Sequence, residues 1–234
     1  MSDTQTKTRT IRSFVKRDSR LTKSQQHAIQ TFWRKHGIDY SDSLINYENE
    51  FNRVAPVIMD IGVGTGDTTF FHAQQHPENN YLAVEVHKPG IGSLLKKIET
   101  NNLTNIKIIN HDVIDVLRNQ ISNHSLSQVF IFFPDPWPKK RHHKRRLINK
   151  KLLEILKIKI ADHGRLHIAT DWIDYAEQIQ ELSNNDPDLI NLTGHNQSSP
   201  RPNWRINTRY ESRGIKLEHE VRDFCFAINK IIKK

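Results

Sequence analysis

Val57-Ile58-Met59-Asp60-Ile61-Gly62-Val63-Gly64-Thr65-Gly66 is the stretch that decides the fold. Residues 57–61 are short, apolar and rich in β-branched side chains, and Pro56 and Gly62 bound them, so they read as a buried parallel strand. The glycines that follow have no Cβ, which lets the chain turn and a flat ligand lie against bare backbone. Two ligands compete for such a loop, a dinucleotide and S-adenosylmethionine. The dinucleotide fingerprint is G-x-G-x-x-G, and counted from Gly62 its third glycine falls on Asp67. Asp60, two residues before the first glycine, is expected to face the ligand. A carboxylate there repels a pyrophosphate and holds the cationic amino group of a methionine moiety. Glu85 closes the apolar run Tyr81-Leu82-Ala83-Val84, where a doubly wound sheet places the acid that takes a ribose's hydroxyls.

Outward from this loop the pattern alternates. Strands are expected at 57–61, 81–85, 106–109, 128–133 and 165–169, with helices at 67–76, 89–101, 112–119, 144–160 and 172–184. That order specifies a parallel α/β sheet wound by right-handed crossovers, with helices on both faces. The alternation after Gly214 adds one or two closing strands, antiparallel to the rest. Residues 186–213, rich in Asn, Ser, Arg and Pro, read as a long irregular loop. Ahead of the sheet, Thr22 caps a helix over 23–35, with Gln25 completing a capping box and Gly37 closing it. Residues 1–10 lack apolar periodicity and read as disordered. Residues 11–20 mix four basic side chains with three apolar ones. The whole of 1–20 is thus expected to be a flexible basic segment, and 21–234 one domain.

The most apolar strand, Val129-Phe130-Ile131-Phe132-Phe133, ends in Pro134-Asp135-Pro136-Trp137-Pro138. Each proline biases the residue before it toward extended geometry, so Phe133 and Asp135 are expected to be extended and the carboxylate held stiffly at the mouth of the crevice. Trp137 offers a flat face for a nucleobase. Lys139-Lys140-Arg141-His142-His143-Lys144-Arg145-Arg146 follows at once, a run suited to phosphates. Its adjacent histidines have no carboxylate or cysteine partner in sequence, so no metal site is expected. Asp112 ends another strand, where it either takes an adenine's exocyclic amine or caps the next helix. Asp171, in Ala169-Thr170-Asp171-Trp172, falls at the same edge. Five strand-end acids (Asp60, Glu85, Asp112, Asp135, Asp171) in a basic chain call for a cation or N–H donors among them.

Composition sets the bounds. Across 234 residues, 35 Lys and Arg against 26 Asp and Glu give a net charge of +9, so the expected partner is anionic and large. No apolar stretch approaches the roughly 20 residues that span a bilayer, and Met1 to Arg12 lacks a signal peptide's apolar core. The protein is expected to be cytoplasmic. Cys225 is the sole cysteine, which leaves no internal disulfide and fits a packing role.

The residues resemble the bacterial tRNA (guanine-N7-)-methyltransferases over nearly the whole chain. Arg12-Ser13-Phe14 with Arg20-Leu21-Thr22-Lys23-Ser24-Gln25-Gln26 resembles the family's N-terminal segment, and Glu85-Val86-His87 with Pro89, Gly90 and Gly92 its second motif. Phe132-Phe133-Pro134-Asp135-Pro136-Trp137 with Lys139 and Arg141 through Arg146 matches the hallmark, and Ala169-Thr170-Asp171-Trp172 and Thr208-Arg209-Tyr210-Glu211 match the rest. The resemblance implies a Rossmann-like class I methyltransferase that moves a methyl group from S-adenosylmethionine to N7 of a variable-loop guanine, guanine-46, in tRNA. It implies no obligatory protein partner. It assigns cofactor binding to Asp60, Glu85, Asp112 and Asp135 beside Gly62, Gly64 and Gly66, and catalysis to Asp135. It assigns tRNA or guanine contacts to Lys139, Asp171, Thr208, Arg209, Tyr210 and Glu211, and RNA contacts to Arg141, His142, His143, Lys144, Arg145 and Arg146. One departure is Asp60, where many members carry Glu. Two rival functions are a dinucleotide-dependent oxidoreductase, disfavoured by Asp67 and the basic run, and a non-catalytic RNA-binding module.

Overall fold

A computed structural model describes residues 12–14 and 20–229, with 209, 213, 215 and 216 given by their backbone alone. The expected disorder of 1–10 lies outside these residues, as does most of the expected flexible segment 11–20. Eight strands form one sheet: β1 (Gly37–Ile38), β2 (Val57–Ile61), β3 (Asn80–Val84), β4 (Ile106–Ile109), β5 (Leu126–Phe132), β6 (Ile160–Thr170), β7 (Leu189–Asn191) and β8 (Arg222–Ile228). Their spatial order is β1-β4-β3-β2-β5-β6-β8-β7. All pairs from β1 to β6 are parallel, while β8 runs antiparallel to both β6 and β7. After β2 the chain winds toward β3 and β4, then returns to the other side of β2 as β5 and β6. The sheet reverses there, which is where a doubly wound fold opens its ligand crevice.

Strand alternation divides the core into two layers. Val57, Met59 and Ile61 face the layer formed with α5 (Val113–Asn119), α6 (Lys150–Lys159) and α7 (Ile173–Asn184). Ile58, Tyr81, Ala83 and Phe130 face the opposite layer, with α1 (Lys23–His36), α3 (Asp67–Gln75) and α4 (Lys88–Thr100). Thr22 caps α1 through the expected capping box, and Gly92 lets α4 approach the Gln25 backbone.

Four expectations require correction. The helix placed at 144–160 is a 3-10 turn, Lys140–Arg145, followed by α6, which begins only after Asn149 accepts the Leu152 amide. β6 starts at Ile160, five residues early, with a register shift against β5 absorbing the offset. The segment 186–213 is not wholly irregular: β7 lies within it, and α8 (Arg209–Lys216) begins there and takes up the first residues of the expected closing strand. Phe133 is not extended but takes φ 52°, and Trp137 φ 47°. The short α2 (Tyr47–Phe51) and β1 were not foreseen.

Candidate active site

The C-terminal ends of β2, β3, β4 and β5 surround a cavity of about 460 Å³, in the range of small-molecule sites. Gly62 and Gly64 form its floor with Ile61, and the turns after β3, β4 and β5 contribute Glu85 to His87, His111 to Val113, and Phe132 to Asp135. Ser13, Phe14, Leu147 and Tyr210 complete the wall. Gly62, Gly64 and Gly66 all have positive φ. Gly64 also requires a bare partner, because a Cβ on Gly90 would stand 2.0 Å from the Gly64 carbonyl oxygen. Gly66 belongs to the scaffold instead: it precedes α3 and rests on Leu94 outside the cavity wall.

Of the five strand-end acids, three reach the cavity. Glu85 is the best held. Its carboxylate accepts the Gly64 amide (2.8 Å) on one oxygen and the Val86 (2.7 Å) and His87 (2.8 Å) amides on the other, tying the glycine loop to the turn after β3. Asp112 lines the wall and also caps α5, accepting the Ile114 amide at 3.0 Å. Asp135 stands exposed on the lip.

Asp60 and Asp171 lie elsewhere. Asp60 shares the face of Ile58, so strand alternation turns it into the core below the loop, 3% exposed, where Thr69 donates to it at 2.5 Å. Burial first, eased by the Thr69 hydrogen bond and reinforced by the charge of Glu85, raises its pKa to about 7. Its carboxyl therefore does not line the cavity as the sequence led one to expect. Asp171 is buried beside the α8 backbone at Gly214, and His219 Nδ1 sits 3.2 Å from its Oδ2.

Among the described lining residues there is no lysine or arginine, while three acids are present. A pyrophosphate would meet no permanent cation, and the α3 N-terminus, where it would dock, already holds Asp67 paired with Lys97. The wall suits a ligand that is apolar in part and cationic in part.

The basic run divides. Lys139, Lys140, Arg141 and Lys144 are exposed beside the lip, and Arg145 is half-buried with its guanidinium 4.9 Å from the Trp137 ring centre. His142 meets the same ring edge-on, and its pKa is lowered by desolvation and then by its cationic neighbours. His143 lies 3.5 Å from Asp174. Arg146 is 2% exposed and points into the protein, so it is unavailable to a phosphate. Trp137 has its ring flanked by Arg145 and His142 and donates its indole N–H to the Ser13 carbonyl at 3.0 Å.

The stretch 208–211 also divides. Thr208 caps α8 by accepting the Glu211 amide, a T-x-x-E pattern that the sequence carried openly as a capping signature. Tyr210 lines the cavity and packs against Phe133. The Arg209 side chain lies outside the described atoms. Glu211, at 0% exposure, does not face a substrate but pairs with Arg201 and doubly with Arg205 (2.8 and 3.0 Å). Arg205 in turn forks onto Asp223 and lies over the Phe132 and Phe133 rings. Burial raises the Asp223 pKa against the pull of Arg205. Arg201, Arg205 and Asp223 escaped the sequence reading because a buried Arg–acid network leaves no spacing signature.

A family model described as "Putative methyltransferase" matches residues 54–224. A tRNA (guanine-N(7)-)-methyltransferase of Nitrosospira multiformis is 49% identical over 219 residues, 93% of this chain and 94% of its own. The Chromobacterium violaceum protein of the same name is 47% identical, over 93% and 96%.

The chain belongs to the tRNA (guanine-N(7)-)-methyltransferase family.

Solved structures place that methyltransferase family in a wider fold class. The 16S rRNA methyltransferase KamB aligns with a TM-score of 0.57 at 12% identity, covering 80% of this chain and 95% of its own. TrmN from Thermus thermophilus aligns at 0.53 and 12%, covering 75% and 44%. At such identities the likeness speaks to the fold, a class I methyltransferase sheet. No helix among the described residues is long and apolar enough to cross a membrane.

Proposed function

We propose that this enzyme transfers the methyl group of S-adenosylmethionine to N7 of the variable-loop guanine-46 of tRNA. The observation that carries the reading is the charge arrangement at one edge of the sheet. A cavity whose described lining holds three acids and no Lys or Arg adjoins, across the Asp135 loop, a band of exposed cations. A cationic small molecule and a polyanion are thereby drawn to either side of one carboxylate. The names borne by close relatives support tRNA and guanine N7 as the target.

The cavity fits that donor. Bare backbone at Gly62 and Gly64 admits close contact, Ile61, Val84, Val113 and Phe132 offer apolar walls for an adenine, and Glu85 and Asp112 stand where a doubly wound sheet holds ribose and base. When bound, the cofactor supplies an electrophilic methyl on a sulfonium. The residues of this chain then have mainly positional work. Guanine N7 carries its lone pair in the ring plane and loses no proton on attack, so no strong general base is needed. Asp135 orients the base and offsets the positive charge that develops on the imidazole ring. Lys139, Arg141, Lys144 and Arg145 hold the phosphates, Tyr210 shapes the purine side of the wall, and Asp171 with Thr208 supports the substrate side. Asp60 acts from beneath the loop through Thr69 rather than by touching the ligand.

Incubation with labelled S-adenosylmethionine and unmodified tRNA, followed by nucleoside mass spectrometry, tests this. Methylation should vanish when the variable-loop guanine is replaced by 7-deazaguanine. Labelling that survives this replacement, or binding of NADH in preference to S-adenosylmethionine, would overturn the proposal.

A further inference from the structure

Two neighbouring arginines end the basic run, and only one faces outward. Arg146 Nε donates to the Pro136 carbonyl (2.9 Å), Nη1 to Gln178 Oε1 (2.8 Å) and Nη2 to Asp174 Oδ1 (2.5 Å), while the guanidinium lies 4.7 Å from the Tyr175 ring centre. Gln178 is itself fixed by donating to the Ile148 carbonyl at 3.1 Å. The fork of one arginine thus joins α7 to the loop that carries Asp135. A planar, always charged guanidinium is suited to several simultaneous bonds of fixed direction.

The carbonyl it holds is the informative part. That oxygen belongs to the peptide joining Pro136 to Trp137, so its orientation sets ψ of Pro136 and φ of Trp137. Both Phe133 (φ 52°) and Trp137 (φ 47°) occupy the left-handed region, a strained conformation for such residues that persists only where the surroundings over-determine it. The rings of Pro134 and Pro136 fix two further torsions. The conformation around Asp135 is therefore closed except at its ends. Arg205 packs over Phe133 at the first end, and Arg146 grips the backbone at the second.

We infer that Arg146 is a positioning residue for methyl transfer, holding the Phe133–Trp137 loop so that Asp135 meets the base, and is not a phosphate contact. The inference rests on the role given to Asp135 above. Its expected signature is a kcat loss of about 10- to 100-fold, the scale of an ångström-sized misplacement. Affinity for tRNA and its salt dependence should stay within about twofold of the parent values, because no outward cation is lost.

The test is a double-mutant cycle of Arg146→Lys and Asp135→Asn, with kcat, KM for tRNA, tRNA affinity against salt, and thermal midpoint measured for each enzyme. Arg146→Lys keeps the charge and loses the fork. It should lower kcat alone, and should lower it less than about twofold further once Asp135 is already Asn. Near-parental kcat in Arg146→Lys beside an impaired Asp135→Asn would overturn the inference and leave the proposed function standing. So would a loss confined to tRNA affinity with a shallower salt slope, or fully additive effects. Near-parental kcat in Asp135→Asn would instead overturn the catalytic reading, and this inference with it. Should Arg146→Lys fail to fold, Asp174→Asn decides on the same criteria. That variant loosens the fork from an exposed partner, with an expected kcat loss of about 3- to 10-fold.

Discussion

Lowering the pH from 6.5 to 4 should destabilise the enzyme through two buried imidazoles, against one buried carboxyl that acts in the opposite sense. His72 and His167 are 4% and 6% exposed and flank Trp204 and Phe130. Desolvation, with small contributions from neighbouring cationic groups, lowers each pKa from 6.5 to about 4. In the unfolded chain both take a proton below about pH 6.5, while in the folded protein neither does until about pH 4. Each therefore contributes stability that is present above pH 6.5 and lost as the pH falls to 4, about 3 kcal/mol apiece. Asp60 has its pKa raised from 3.8 to about 7, so its contribution is present at low pH and lost as the pH rises through that window. Across pH 4 to 6.5 it offsets one of the two imidazoles. These three groups leave one net proton, a slope of about 1.4 kcal/mol per pH unit. Urea unfolding at half-unit pH intervals measures it. Relative to the parent, His167→Leu should flatten the slope by about one proton and Asp60→Asn should steepen it by about one, other groups cancelling in the comparison. A parental slope in His167→Leu would refute the claim that this imidazole is buried neutral.

Three further outcomes are expected. Asp135→Asn keeps the shape of the lip but removes its charge, so kcat should fall about 10²- to 10³-fold with tRNA affinity nearly unchanged, as read by steady-state kinetics beside filter binding. Arg141→Ala with Lys144→Ala removes two exposed cations, so the slope of log affinity against log salt should decrease by up to about 2, and an unchanged slope would exclude both from the interface. Gly90→Ala forces a methyl group 2.0 Å from the Gly64 carbonyl oxygen, which should displace the glycine loop, cost about 1–3 kcal/mol of stability in thermal melts and abolish S-adenosylmethionine binding in calorimetry.

The centre of the parallel sheet was legible because its strands are mostly apolar and bounded by turn residues, so that β2, β3 and β4 fell within a residue of expectation, whereas two-residue β1 is too short to show a pattern. The closing half was harder. β7 spans three residues, and α8 pairs a buried acid with arginines of the preceding polar loop, so neither announces itself by hydropathy. Within the site, residue type was readable but direction was not. Asp60 and Glu85 both stand at strand ends, yet Glu85 lies two register positions further on, past the end of β3 in the turn and its amides, while Asp60 remains in the pleat of β2 and points into the core.

The arginines at 145 and 146 make the same point more sharply. They are chemically identical and adjacent, in a segment whose charge count alone favours phosphates. The chain leaves its 3-10 turn between them, so Arg145 completes the turn over the half-buried Trp137 ring while Arg146, no longer helical, is carried beneath the loop toward α7. What draws it inward lies thirty residues downstream, in the carboxylate of Asp174 and the amide of Gln178. Neither residue drew notice in the sequence, because an acid on a helix surface is ordinary until an arginine is found to reach it. On the function proposed here the run divides its work: the exposed cations are the ones that would gather tRNA, while the inward Arg146 bonds the backbone of the Asp135 loop.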